Sequence, residues 1–482
     1  MESMTISRAP VGPWLLRSRF IRSGFDQPTS QEGAGRFHDT KPQATMNASI
    51  FSIRCLLLAG SMSFFLPGIT LAQLAAEDGR HDGVWIGNPG ALRDSARESG
   101  VTLNASYMGE VAANVSGGDR RSARYTQQVE IESLLDMQRI ADIQDARLQL
   151  ALNYRDGRSL SQEVLHNQFS VQELYSYSQI LRLSQFNWLQ QFADKRVTVQ
   201  VGWSPEGNDF ARLPAFCKFQ NFVVCGHSNA MTLNSGAING PISQWGVRIK
   251  LWPVEHFYVN AGAYRNNIDG GTDGGFDMSF DHQGNFYPIE VGWVRGEGVL
   301  PGSIALGGYY NTGKTADVYY DVNRNPASVT GLPFLQHGGR HGGYVLGQQT
   351  LYQAERGNAA RGLSIFGMAG IGDYATARFR HFAIAGALYQ GPSSNRPEDF
   401  LSLMAAWSRT NPRLSRYQKE RNPWLADPAP AQRWETVFEL DYGFQLTPRW
   451  LLQPNVQYIV QPGGNDDRSN ALVLGLHFAM KL

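Results

Sequence analysis

Apolar and polar residues alternate with a period of two over most of the chain. In Arg196–Trp203, Val197, Val199, Val201 and Trp203 alternate with Arg196, Thr198, Gln200 and Gly202. In Gln244–Trp252, Trp245, Val247, Ile249 and Leu251 alternate with Gln244, Gly246, Arg248 and Lys250. The same pattern runs through Ala146–Arg155, and at the end of the chain Leu472, Leu474, Leu476, Phe478, Met480 and Leu482 share one face. Such segments are strands with one apolar and one polar face. About sixteen are predicted: 101–114, 123–136, 144–156, 176–192, 195–203, 243–252, 255–265, 285–295, 301–311, 341–354, 361–373, 376–390, 399–409, 432–445, 448–461 and 470–482.

The connections alternate too. Even-numbered strands are followed by turns as short as Ala193-Asp194 and Pro253-Val254, whereas odd-numbered ones are mostly followed by longer loops, the longest being 204–242, 312–340 and 410–431. A transmembrane antiparallel barrel has this organisation, with strands long enough to cross a hydrocarbon layer and long loops on one side only. A propeller would repeat a motif every 40 to 45 residues or so, and no such repeat is present. A sandwich of this size would split into domains, yet no Pro/Ser-rich linker divides the chain. The expected fold is therefore all-β, one barrel over 101–482. Trp188, Trp203, Trp245, Trp252, Trp293, Trp407, Trp434 and Trp450, with Tyr107, Tyr125, Tyr154 and Tyr458, fall near strand ends, where aromatic girdles form at headgroup level.

Residues ahead of the barrel set the compartment. Met46, Arg54, the apolar stretch Cys55–Ala72 and the small residues of Thr70-Leu71-Ala72 fit a signal peptide over 46–72, after an unstructured extension or mis-called start at 1–45. Residues 73–100 form a polar lead-in with a short helix over Leu92–Ser99. The 410 residues after Ala72 hold 36 basic and 38 acidic side chains, so no strong field selects one sign of solute and a nucleic-acid partner is excluded. In an oxidising compartment Cys217 and Cys225, eight positions apart, are expected to form a disulfide.

No catalytic motif is present, no cofactor is expected, and an outer-membrane protease or phospholipase has no recognisable Ser/His setting. A metal role for His337 and His341, which flank a Gly-rich tip, is weak. Asp269, Asp273, Asp277 and Asp281 recur every four residues, a spacing unlike an EF-hand and better suited to a solvated loop than to calcium. The chemistry is expected on the polar strand faces, where Glu130, Glu132, Arg147, Gln149, Gln200, Arg248, Lys250, Glu439 and Asp441 put both signs around a lumen. Arg248, midway along its strand, is placed at mid-depth. The 39-residue stretch Ser204–Ile242 is the expected constriction, folding inward to bring Asp209, Arg212, Lys218 and Phe219 toward the axis.

Three regions resemble the carbohydrate-selective porin (OprB-type) family of Gram-negative outer membranes. They are Gly90-Ala-Leu-Arg-Asp-Ser-Ala-Arg-Glu-Ser-Gly-Val-Thr-Leu103 with Ser106-Tyr-Met-Gly-Glu110, Arg196-Val-Thr-Val-Gln-Val-Gly202 with Asn208-Asp-Phe210, and a C-terminal block. That block, the most specific of the three, comprises Glu435–Pro448, Leu452–Gly464 and Asn470–Leu476. The terminal Leu482 departs from the Phe that commonly closes such barrels. The resemblance implies a sixteen-stranded outer-membrane channel with an inward-folded loop, passing small neutral sugars such as glucose-like monosaccharides and polyols by passive diffusion and contacting outer-membrane lipid. A monomer and a homotrimer are both left open. The alternatives are a general diffusion porin without sugar selectivity and a soluble periplasmic sugar-binding β-protein.

Overall fold

The computed structural model describes residues 89–482 apart from 176–179, 237–238, 267–273, 281–282, 297–299, 356–357, 427, 429 and 482. The extension 1–45, the signal peptide 46–72, most of the lead-in, and Leu482 lie outside the described residues, as do three of the four aspartates of the 269–281 loop. A helix, Pro89–Glu98, leads into the first strand.

Sixteen antiparallel strands close into one barrel, each paired with its neighbours in chain order and the last paired with the first. They are β1 Val101–Ser116, β2 Ser122–Asp136, β3 Ala146–Gly157, β4 Leu181–Phe192, β5 Val197–Ser204, β6 Gln244–Val254, β7 Phe257–Arg265 and β8 Asn285–Arg295. The series continues with β9 Gly302–Asn311, β10 Arg340–Glu355, β11 Asn358–Gly372, β12 Phe379–Gln390, β13 Phe400–Thr410, β14 Trp434–Thr447, β15 Trp450–Val460 and β16 Ala471–Lys481. Closure leaves no unpaired edge, which a hydrocarbon environment requires because it offers no partner to an open edge.

The alternation sorts side chains as expected. Val201, Val247, Ile249, Leu251, Leu306, Leu403 and Leu474 are exposed on the outer face, while Gln200, Arg248, Glu439 and Asp441 are buried on the inner one. Inner-face glycines have a specific use here. The ring of Tyr264 lies over Gly246 and that of Tyr258 over Gly292, where a Cβ would collide with it, so aromatic side chains lie flat along the neighbouring strand. Two of the girdle tryptophans belong elsewhere. Trp252 is on the inner face, its ring centroid 5.3 Å from that of Tyr258. Trp203 is 5 % exposed and packs on Trp245, which in turn stacks on Phe280 of the β7–β8 loop and donates from Nε1 to the Met278 carbonyl.

Chain folds into the inside of the barrel. The β5–β6 connection, 205–243, packs Phe210, Leu213, Ala215, Phe216, Phe219 and Val223 against Tyr258, Tyr264, Phe286, Tyr309, Tyr344, Phe366 and Met404 of the wall. Phe216 and Phe219 set their rings 5.8 and 5.7 Å from that of Phe366. Each fully buried Phe contributes about 2–3 kcal/mol by removal from water, so this loop is a packed element with its own core.

Candidate functional site: a loop held between opposite walls

Residues 205–243 leave the top of β5 and are fastened first to β6, β7 and β8. Gln244 donates from Nε2 to Glu206 Oε2 at 2.7 Å, and Asn260 donates from Nδ2 to the Asp209 carbonyl at 2.9 Å. Arg248 places Nε 3.3 Å from Asp209 Oδ1 and donates from Nη2 to Gln200 Oε1 at 2.8 Å. Glu290 of β8 accepts three bonds: from the Ala211 backbone N–H (2.9 Å), Tyr258 Oη (2.8 Å) and Tyr344 Oη (2.8 Å).

The chain then crosses the lumen to β13, β14 and β15. Ser402 Oγ and Gln453 Nε2 donate to the Lys218 carbonyl at 2.9 and 3.2 Å. Glu439 receives the backbone N–H groups of Gln220 (2.8 Å) and Asn221 (3.1 and 3.2 Å to its two oxygens). Asn455 donates to Gln220 Oε1 at 2.7 Å and Asn221 donates to Gln457 Oε1 at 2.9 Å. A carboxylate accepting backbone N–H groups in a water-poor setting is among the stronger hydrogen-bonding arrangements, and here two of them, Glu290 and Glu439, grip one loop from two sides. The return path runs through the helix Asn229–Ser235, where Asn234 exchanges two hydrogen bonds with the Phe379 backbone.

A second connection, 158–180 between β3 and β4, also turns inward. Gln168 donates its backbone N–H to Glu435 Oε2 at 2.8 Å, Leu174 donates to Glu110 Oε2 at 3.1 Å, and Gln457 Nε2 reaches the Val171 carbonyl at 3.0 Å. The two loops are joined by Phe222 N–H to the Ser170 carbonyl (2.8 Å) and Gln220 Nε2 to the Val171 carbonyl (3.2 Å). Glu110, Glu173 and His477 bring one ligand atom each within 4.8 Å of one another. Glu110 there accepts from Leu174 and from Thr126 Oγ1 (3.2 Å), with His477 Nδ1 at 3.4 Å, so the cluster ties the second loop to β1 and β16.

The residues singled out from the sequence fall in different settings along the inner wall and the loops. Glu130, Glu132, Gln149 and Lys250 are partly exposed on the inner wall, with Glu130 accepting from Asn153 (2.9 Å) and Glu132 from Asn104 (3.1 Å) and Gln149 (2.5 Å). Lys250 holds Nζ 4.2 Å from the Tyr258 ring and 4.9 Å from that of Trp252. Arg147 is exposed at the opposite end of the barrel from the long loops, in register with Asp136. Arg248 is 6 % exposed, in the wall-to-loop contact rather than in open lumen water. Glu439 and Asp441, each 1 % exposed, lie on the inner face beneath the loop, and Asp441 accepts from Gln453 Nε2 at 2.8 Å. Arg212 donates to the Asn208 carbonyl at 2.6 Å, and Lys218 sets Nζ 4.3 Å from the Phe400 ring centroid. The Cys225 side chain lies outside the described residues, and with it the expected bridge to Cys217. His337 and His341 go to separate acids, Asp317 (2.8 Å) and Asp373 (3.0 Å).

Glu290 escaped the sequence reading although its signal was present, a single acid among Phe286, Pro288 and Gly292 on one face of β8. The second inward loop had a weaker signal, the alternation of Gln168, Ser170 and Gln172 with Phe169 and Val171.

A closed barrel of sixteen strands with an apolar outer face, a polar inner face and a loop narrowing the bore is the architecture of an outer-membrane diffusion channel. Residues 120–482 match the model of the carbohydrate-selective porin, OprB family. Porin B of Pseudomonas aeruginosa is 34 % identical over 447 residues, covering 88 % of this chain and 96 % of that protein. The putative porin QuiX of Acinetobacter baylyi is 28 % identical, covering 84 % and 94 %. The high-pH structure of Pseudomonas putida OprB superposes with a TM-score of 0.78 at 35 % identity, covering 82 % of this chain and 97 % of that one. The chain belongs to the carbohydrate-selective porin, OprB family, and is an outer-membrane channel.

Proposed function

We propose that the channel passes small neutral solutes of the monosaccharide and polyol class, by passive diffusion without cofactor or energy coupling, while its girdled outer face sits in outer-membrane lipid. The observation that carries this reading is a mixed polar margin on the inner wall. Glu130, Glu132, Gln149 and Lys250 are partly exposed there, with the rings of Trp252 and Tyr258 beside Lys250. A sugar hydroxyl donates and accepts at once, so a wall offering both replaces its water shell, and an aromatic face covers the apolar side of the ring. A net ion gains less, because charges of both signs line the same margin. The family membership and the relatives named above support the same solute class.

Swelling of liposomes that contain the full chain tests the proposal. Glucose-sized sugars should enter faster than zwitterions of similar mass. Equal rates would leave a general diffusion pore.

A further inference from the structure

The outer face of the barrel carries a feature that solute passage does not use. At the loop end of β13 and β14, Arg409 and Trp434 are direct register partners on the outward side, and Trp407 lies one alternation below Arg409 on the same face. The helix Pro412–Arg421 extends from the end of β13 and brings Ser415, Arg416 and Lys419 over the rim, and Arg433 closes the other side. Together these residues line an open groove of about 770 Å³.

Two of the four cations are already paired. Arg416 Nε lies 2.7 Å from Glu420 Oε1, and Arg433 Nη1 lies 2.9 Å from Asp466 Oδ2. Arg409 and Lys419 are exposed and have no acid within ion-pair distance among the described residues, Lys419 acting on Asp466 only at longer range. Below them the outer wall becomes apolar, with Leu403 51 % and Phe438 43 % exposed. The groove therefore joins two exposed cations outside any close ion pair to an apolar track that runs down into the membrane, with tryptophan at the boundary. That order of groups matches an anionic amphiphile, with a phosphate at the cations and acyl chains along the strands.

We propose that this groove seats the phosphate of a phosphorylated glycolipid of the outer leaflet, with Arg409 and Lys419 as its principal partners. The assignment rests on the outer-membrane position of the barrel, and it is independent of which solute the lumen passes.

Binding of fluorescent lipid A to the detergent-solubilised full chain, with and without its phosphates, tests it. The phosphorylated form should bind about tenfold more tightly than the dephosphorylated one, the equivalent of one good charge-assisted contact. The pair Arg409→Glu/Lys419→Glu should abolish that preference while the barrel keeps its heat-modifiable migration on a gel. If the charge reversal impairs folding, Arg409→Gln/Lys419→Gln should give the same loss. Equal binding of both lipid forms would overturn the proposal, as would retention of the preference in a folded variant. Displacement of the lipid by equimolar inorganic phosphate would reduce the groove to a free-anion site and also overturn it. A changed association state with unaltered lipid binding would make the face a contact between copies of this chain, with the same consequence.

Discussion

Arg248 on β6 and Asp209 on the inward loop meet with Nε 3.3 Å from Oδ1, and the other end of the same guanidinium holds Gln200 of β5 at 2.8 Å. One side chain thus fixes two wall strands and the loop that narrows the bore. Its five donors and rigid plane allow this, and a lysine ammonium could not span both partners in the same geometry.

Removing that guanidinium should act on the loop more than on the barrel. In Arg248→Ala the barrel still assembles, since its strands are held by closed backbone ladders, but the half-buried Asp209 side chain loses its guanidinium partner. A local cost of about 2–4 kcal/mol is expected. Single-channel recording should show higher conductance and weaker block of the ion current by sugar, and Arg248→Lys should recover only part of the loss. Normal conductance with unchanged block would place the constriction elsewhere on the loop, with Arg212 and Lys218 next in order.

The two carboxylate grips should be separable from the barrel in the same way. Glu439→Ala leaves the Gln220 and Asn221 N–H groups without their acceptor, and Glu290→Ala does so for Ala211, Tyr258 and Tyr344, each at about 1–3 kcal/mol per orphaned buried group. Hydrogen exchange should speed up over 209–222 in both variants while the strands stay protected. Protection unchanged in both would mean the aromatic packing alone holds the loop.

Phe216 tests that packing directly. It is fully buried against Phe366, and Phe216→Ala opens a cavity whose cost is about 3–5 kcal/mol where the surroundings cannot collapse. Because the loop is a local element, the loss should appear as flickering current through an assembled channel. Failure of the barrel to assemble would mean that loop packing is needed for closure.

Beyond the membrane, the loops on the long-loop side are latched by a titratable group. Burial pushes the Asp317 carboxyl up, but the Tyr320 N–H, His337, the Tyr319 N–H and the Arg413 guanidinium more than offset this and hold it below its ordinary value. Arg413 reaches both of its oxygens, at 2.8 and 3.0 Å. A lowered native value means the latch is at full strength above the usual carboxylate range and is lost as pH falls through the lower native value. Limited proteolysis of 312–339 and 411–433 should therefore be slow at neutral pH and accelerate only below about pH 4. In Asp317→Asn it should be fast at every pH. A cleavage rate that does not vary with pH in the unsubstituted chain would contradict the latch.

The strands were legible because period-two alternation is a local signal, repeated along the sixteen strands with the polar residues mostly on the lumen side. The faces of Arg248, Glu439 and Val201 follow from sequence parity alone. What each inner residue touches was not legible, because its partners come from distant parts of the chain, 79 positions for Ala211 to Glu290 and 219 for Gln220 to Glu439. Trp252 shows the same gap: its place at a strand end suggested a girdle, but its parity with Lys250 puts it inside. A lumen acid meant for solute and one meant for a loop look identical in sequence, so Glu439 was placed beside the passage and Glu290 was passed over.

The central claim is that a loop gripped by opposite walls leaves a passage suited to small sugars. Ion current through single channels of the unsubstituted chain, titrated with glucose and with a zwitterion of similar mass, tests it most directly. Saturable reduction of the current by glucose and none by the zwitterion is the predicted result. Equal reduction by both, or by neither, would contradict it.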